Sequence, residues 1–524
     1  MAAHAAAPAG PGLSRQRRQS VPRLDPDTAE YFRRALEMLE EGLSEEELAL
    51  FVPAVLSEAA SAPPQILAVS PGPSRLLLRL LPLSPELLEG LVGEVGKDLG
   101  GLARDPNGSF VLRALLGVLG GTGDKVPDPE GAEPKKKWAW PALEGEEPKP
   151  KGAELPAWFR PLLEELAQGL EKEMPALLSP ACASLCLQGA LSALHRSQSP
   201  ACSRFCRALI GCLGQDSPAH GHSPLLTSLQ DPARSRLLEA AMTALDPQGL
   251  RELFRGHLKG HVRGVASHRV ANHGLQRLLD HAPEDVVSEV LSELGPALEE
   301  PLARGHPGVL IALLGAAQRH PRLQGDALRW LFQALRCWAP PKHPQCVAAL
   351  AQLRPLGGGA EDQEGAEPEP LPAVSLWGSL ALQLLLRFRD PSPIWGSLLA
   401  LPPPALPALA RSPPGSRLWE RILDSPNVPG SARKRLLRRL QGHWALLARD
   451  RSGSRVLDAA WTGSDVIQRA KMAAELAPHL QELLRDPHGR GAARNLGLEF
   501  FLRDRGGWER LQRGEGRRGR GLGL

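Results

Sequence analysis

The stretch DRSGSRVLDAAW, Asp450–Trp461, decides the fold because it recurs along the chain. It opens on an acid and a turn, places a small polar residue at Ser454 beside Arg455, and continues with Val456, Leu457 and Ala460. Those apolar residues fall at helical spacing and predict a buried helix face. The preceding RKRLLRRLQGHWALLARD, 433–450, also has helical periodicity. One unit is therefore helix, turn and helix.

Copies read SPGPSRLLLRLL from Ser70, DPNGSFVLRALL from Asp105, SPACASLCLQGAL from Ser179 and DPARSRLLEAA from Asp231. They continue as SHRVANHGLQRLL from Ser267, GHPGVLIALL from Gly305, SPPGSRLWERIL from Ser412 and DPHGRGAARNL from Asp486, with a weaker WGSLALQLLL from Trp377. Aligning the residue after the turn gives Ser74, Ser109, Ser184, Ser235, Asn272, Val309, Ser379, Ser416, Ser454 and Arg490. Six of the steps between these marks run from 35 to 38 residues, and two, of 75 and 70, are near twice that. A beat of that length is a two- or three-helix unit of a solenoid, which buries its apolar face only against its neighbours. Asp or Ser before Pro suits a helix start, the first as cap and the second in the opening turn.

Composition agrees. Apolar bulk comes from Leu and Ala, while Phe, Trp and Tyr number only 10, 11 and 1. That balance favours helix and nearly excludes an all-β sandwich or barrel. The fold class expected is all-α, a helical solenoid punctuated by its 53 Gly and 51 Pro. Lys and Arg total 62 against 58 acids, so any surface for nucleic acid has to be local. Seven Cys suit a reducing compartment better than a disulfide framework. The N-terminal twenty residues lack the apolar core of a signal peptide, and no run is long enough to span a membrane, so a soluble intracellular protein is expected.

Two segments break the beat. Residues 123–154 mix Pro with KKK, EGEE and KPK and read as a disordered charged insertion; 356–373 read as an acidic loop. Repeats are then expected over 25–122 and 155–502, after a disordered tail at 1–24 and before an Arg/Gly-rich tail at 503–524. That last tail reads either as a solvated end or as a nucleic-acid-tracking segment.

The positions just after each turn carry the functional signal. Residues i and i+4 share a helix face, and i+1 lies nearer the next unit. On that register Ser235 and Glu239 flank Arg236, Ser416 and Glu420 flank Arg417, and Ser454 and Asp458 flank Arg455. Asn272 and Gln276 flank His273, while Ser184 with Gln188 and Ser379 with Gln383 enclose Leu. A carboxylate can accept from the N–H donors of guanine, an Asn/Gln pair can match the edge of uracil, and Arg or His offers a plane for an unstacked base. Arg490 and Arg494 suit phosphate, whereas Val309, Leu310 and Leu313 cannot read a base edge. The plainer reading of any one unit is a capping Ser and an ordinary surface Glu.

Cys182, Cys186, Cys202 and Cys206 form two i,i+4 pairs, but zinc ligands usually sit closer together on loops, so helix-core packing is the better reading. The His residues are dispersed. No P-loop, HExxH or GxSxG motif appears, and neither an enzyme nor a cofactor is expected.

The units with Ser-Arg-x-x-Glu and Asn-His-x-x-Gln resemble Pumilio repeats, in which one helical repeat reads one RNA base. YFRRAL from Tyr31, DPNGSFVLRALLGVLGGT from Asp105, GHPGVLIAL from Gly305 and SGSRVLDAAW from Ser452 are similar to a divergent nucleolar branch of that family. The resemblance covers roughly residues 25–510 outside the two insertions. It implies a curved, U-shaped solenoid of about ten Pumilio-like repeats. It implies further a monomer of the nucleus and nucleolus, free of membranes, that works in ribosome biogenesis on pre-ribosomal particles. Such a protein binds partly single-stranded precursor RNA of the small ribosomal subunit and shields it from premature cleavage. The span between YFRRAL and the Ser70 copy is short for the family and leaves room for one repeat fewer. The competing architecture is an armadillo- or HEAT-like scaffold for protein segments, which would need no polar triplets in register.

Overall fold

The computed structural model describes residues 25–44, 96–121, 156–179, 181–215, 223–356 and 373–514, with isolated positions between 47 and 95. The Ser70 copy with its mark Ser74, the insertion 123–154 and the interior of the loop 356–373 lie outside the described residues. Every regular element among the described residues is helical. No described helix is long and apolar enough to cross a membrane. The described chain falls into two compact units, one ending at Phe205 and the other beginning at Cys206.

In the first unit, helices Leu99–Arg104, Pro106–Leu119, Phe159–Leu177 and Ala181–Arg196 pack on one another. Leu115, Leu116, Leu170, Leu187 and Leu191 are fully or almost fully buried between them. An added Cβ at Gly120 would lie 2.7 Å from both Cα and Cβ of Ala193, so Gly at that helix end lets two backbones meet.

The second unit repeats a three-helix element, which the period allowed, with a short middle helix that the helix-turn-helix reading of each unit did not contain. Gly430–Arg438, Trp444–Ala448 and Gly453–Thr462 form one copy; Val466–Leu476, Leu480–Arg485 and Pro487–Leu496 form the next. The short middle helix was hidden because a Gly-His turn, as at Gly442-His443, bends an otherwise continuous helical pattern. Gly442 has φ +84° and Gly260, in the matching turn, +85°, a left-handed conformation open to Gly at little cost. Each of these turns is tied to the following repeat. Glu293 accepts from the backbone N–H of Gly260 and Val262 at 2.9 and 2.8 Å, and Glu475 from those of Gly442 and Trp444 at 2.8 Å each.

The third helices carry the register marks. They run Pro232–Ala244, Ala271–His281, Pro307–Arg319, Leu376–Leu385, Pro413–Asp424, Gly453–Thr462 and Pro487–Leu496, each touching the next. Five of the seven starts are capped by Asp or Ser, three of them (Asp231, Ser412 and Asp486) by the residue before Pro that the sequence marked. Asp231, Ser375, Ser412, Asp450 and Asp486 each accept from one or two backbone N–H groups of the following turn.

The Gly one residue before several marks has a separate cause. A Cβ at Gly415 would come within 2.0 Å of the Leu409 carbonyl oxygen, at Gly378 within 2.1 Å of that of Ala351, and at Gly453 within 2.7 Å of that of Leu447. The third helix thus starts directly against the end of the helix before it. That contact explains why Gly-Ser recurs.

The segment from 503, expected as a tail, begins as structure. Arg505–Gln512 is a helix whose Trp508 is fully buried, edge-on to Phe501 and Trp461, with its indole N–H donating to the Leu496 carbonyl at 2.9 Å. This helix covers the last repeat, the capping an end repeat needs.

Candidate RNA-facing surface

On four of the mark-bearing helices the two polar residues of the register meet across one helical turn. Gln276 Nε2 donates to Asn272 Oδ1 at 2.8 Å, Gln383 Nε2 to Ser379 Oγ at 2.9 Å and Gln188 Nε2 to Ser184 Oγ at 3.2 Å. Ser235 Oγ donates to Glu239 Oε1 at 3.3 Å. The mark itself is mostly buried. Ser109 and Ser416 hydroxyls bond back to the carbonyls of Pro106 and Pro413 at 2.9 and 3.0 Å, and Ser454 reaches that of Arg451 at 3.2 Å. Asn272 gives its amide to the carbonyls of His268 and Arg269 at 2.8 and 3.0 Å. Ser109, Asn272, Ser416 and Ser454 therefore fix their helix starts, while Gln188, Glu239 and Gln276 stay half-buried and offer their remaining polar edges.

Between the pairs, Arg236 and His273 are exposed and can present a flat face. Arg417 is half-buried and bound to Glu420, Nη1 to Oε2, at 3.0 Å; Arg455 Nε stands 3.8 Å from the other oxygen of Glu420. One carboxylate thus sits between two guanidiniums from successive repeats. Asp458 stands next in the row, its carboxyl pushed above the usual carboxylate range by desolvation and drawn back by a hydrogen bond from Asn495. Arg490 and Arg494 are exposed, and Arg490 Nε donates to the Leu484 carbonyl at 3.0 Å. Their free edges can meet phosphate.

Two repeats in mid-row are closed. Val309, Leu310 and Leu313 are buried, as their chemistry requires. Ser379 and Gln383 match Ser184 and Gln188 in type, and both Ser are buried, yet Gln188 is half-buried while Gln383 has only 6% exposure. The Ser379 hydroxyl donates across to the Pro414 carbonyl of the next repeat at 2.6 Å, and Leu380 is buried beside it. This pair serves packing in the structure and presents no edge.

One group escaped the sequence reading. Arg113, four residues after Ser109, is half-buried, donates to the Ser109 carbonyl at 3.3 Å and lies 5.6 Å from the Phe110 ring centroid. The i, i+1, i+4 spacing of Ser109, Phe110 and Arg113 was the available signal.

Among the described residues no group of three or more His, Cys, Asp and Glu could hold a metal. Burial pushes the Cys186 thiol up to about 12, and it donates to the Ser109 carbonyl at 3.5 Å. That is the setting of a packed thiol, since metal binding needs a thiolate.

The NOP9-like PUF repeat domain matches residues 79–491. The chain belongs to the NOP9-like PUF repeat family. Nucleolar protein 9 of Homo sapiens is 40% identical over 453 residues, covering 83% of this chain and 71% of the relative. Its Mus musculus counterpart is 39% identical over 468 residues, covering 86% and 72%. The solved structure of APUM23-GGAUUUGACGG has a TM-score of 0.70 at 20% identity, covering 94% of this chain and 100% of that one, a likeness of fold. As a member of the NOP9-like family the chain is a nucleolar protein.

Proposed function

We propose that this RNA-binding protein of ribosome biogenesis holds a partly single-stranded stretch of small-subunit precursor ribosomal RNA along its third helices. It shields that stretch from premature cleavage, works as a monomer within pre-ribosomal particles, and catalyses no reaction itself. The carrying observation is the row of paired polar residues, Asn272 with Gln276 and Ser235 with Glu239, each beside an exposed planar group, His273 or Arg236. Stacking on such a plane together with an edge contact suits an unpaired base, whereas a groove for protein segments needs neither.

Fluorescence anisotropy with single-stranded precursor RNA, its duplex form and a salt titration tests the reading. Tighter binding of the single strand is expected, weakening with salt as phosphate contacts release counterions. Nuclease footprinting of the same RNA should show protection at the bound stretch. Undetectable affinity at low salt, or binding without protection, would overturn it.

A further inference from the structure

The first helices of the last two three-helix repeats, Gly430–Arg438 and Val466–Leu476, enclose a groove of about 580 Å³. These are not the helices that carry the polar pairs. The groove floor is apolar, formed by Leu437, Trp444 and Met472, all nearly buried. Ile467 stands at the lip with 71% exposure, high for a large aliphatic side chain. A smaller cavity of about 250 Å³ continues on the other side of Ile467 and Lys471 toward Arg505 and Arg513. Arg438 and Lys471 line the larger groove, are exposed, and make no ion pair among the described residues.

The carboxylates there are already engaged. Glu475 accepts from the Gly442 and Trp444 backbone; Asp465 caps its own helix at Gln468 N and pairs with Lys434 at 3.2 Å. Glu509, beside the second cavity, pairs with Arg505 at 3.1 Å. What faces a visitor is a net excess of positive charge around an apolar slot, with Arg438 and Lys471 outside any ion pair among the described residues.

We propose that this groove docks an acidic protein segment that inserts one large aliphatic or aromatic side chain against Ile467 and Met472. Charge complementarity sets the sign of the partner, since the two cavities are lined by five cations, Lys434, Arg438, Lys471, Arg505 and Arg513, against three carboxylates, and Arg438 and Lys471 make no ion pair among the described residues. The apolar floor sets its class. An RNA backbone would leave Ile467 and the floor unused, and the groove's Trp444 is too buried to stack a base. An amphipathic peptide uses both features.

The test pans a phage-displayed library of random short peptides on the full chain, then measures the enriched peptides against variants. Acidic peptides with one large apolar residue should be enriched. Their affinity should fall about tenfold with Ile467→Asp, and by as much with Arg438→Glu plus Lys471→Glu. Melting temperature and affinity for single-stranded RNA should not change, because all three side chains are exposed and off the paired row. No enrichment, no acidic bias, or equal binding to all variants would overturn the proposal. Loss of RNA affinity in the charge-reversal variant would overturn it too, making the face a nucleic-acid surface and leaving the reading of the third helices untouched.

Discussion

Gln276 and Asn272 form a two-residue device: the amide of Gln276 donates to the Asn272 side-chain oxygen at 2.8 Å, while Asn272 bonds the backbone carbonyls of His268 and Arg269. The division of labour predicts a split phenotype. Asn272→Ala removes the side-chain donor from two carbonyls, of which that of His268 keeps the Asn272 backbone N–H, and leaves Gln276 unsupported, costing about 1–3 kcal/mol of stability. Gln276→Ala should change stability by less than about 0.5 kcal/mol and weaken RNA binding by about 1–3 kcal/mol. Thermal melts and RNA anisotropy on both variants check this. Equal stability loss in the two would show that Gln276 is structural.

Burial separates Gln383 from its look-alikes. Arg236→Ala with Glu239→Ala should weaken RNA binding by on the order of 1–3 kcal/mol through lost stacking and edge contacts. Gln383→Ala should leave RNA affinity unchanged and lower the melting temperature, since the Gln383 amide is bonded to Ser379 below the surface. A drop in RNA affinity with Gln383→Ala at unchanged melting temperature would contradict the closed repeat.

Glu420 holds Arg417 at 3.0 Å with Arg455 at 3.8 Å. Removing the carboxylate frees both guanidiniums. Glu420→Ala should therefore steepen the salt dependence of RNA binding by about one phosphate contact while reducing discrimination between RNA sequences. Salt titrations with matched and scrambled RNA measure both. An unchanged slope would show that these arginines do not meet phosphate.

The architecture was legible because it is periodic: a 36-residue beat, Asp or Ser caps and Leu/Ala faces are all local signals. Depth was not. Ser184 with Gln188 and Ser379 with Gln383 are the same pair in sequence and both Ser are buried; the pairs differ at the second residue, half-buried at Gln188 and 6% exposed at Gln383, with Ser379 also tied to the Pro414 carbonyl of the neighbouring repeat. The middle helix was hidden by Gly-His turns at Gly260 and Gly442 and by the Gly-free turn Ala477–His479 in the last repeat, and the covering helix at Arg505–Gln512 by its Arg and Gly content, although Trp508 and Leu511 three residues apart were a helical signal.

The glycine before the mark gives a steric prediction. Gly415→Ala places a Cβ about 2.0 Å from the Leu409 carbonyl, backbone that cannot step aside, and should cost about 1–3 kcal/mol. Gly491, also within a third helix, has nothing within 4 Å of its would-be Cβ. Gly491→Ala should stabilise by about 0.5–1 kcal/mol, the usual helical gain over Gly. Chemical denaturation of the two variants checks the pair, and equal effects would remove the close-approach explanation.

A further prediction concerns acid. Arg251 bonds Asp285 at 2.9 Å, Arg255 bridges Asp285 and Glu289 at 2.8 and 2.6 Å, and Lys259 reaches Glu289 at 2.7 Å. This cluster ties one repeat to the next. The Arg251 hydrogen bond is the main cause holding Asp285 below the usual carboxylate range, and that from Lys259 does the same for Glu289. A carboxylate whose folded pKa is depressed stabilises the fold above its unfolded pKa and loses that contribution as pH falls through the folded value. Stability should thus be level near neutrality and decline below the ordinary carboxylate range. Asp285→Asn with Glu289→Gln should lower stability at neutral pH and flatten the acid decline, with added salt shrinking the difference because the groups are partly exposed to solvent. Melting temperatures of both proteins across the acid range measure it. Parallel curves would mean that the cluster contributes nothing to holding the two repeats together.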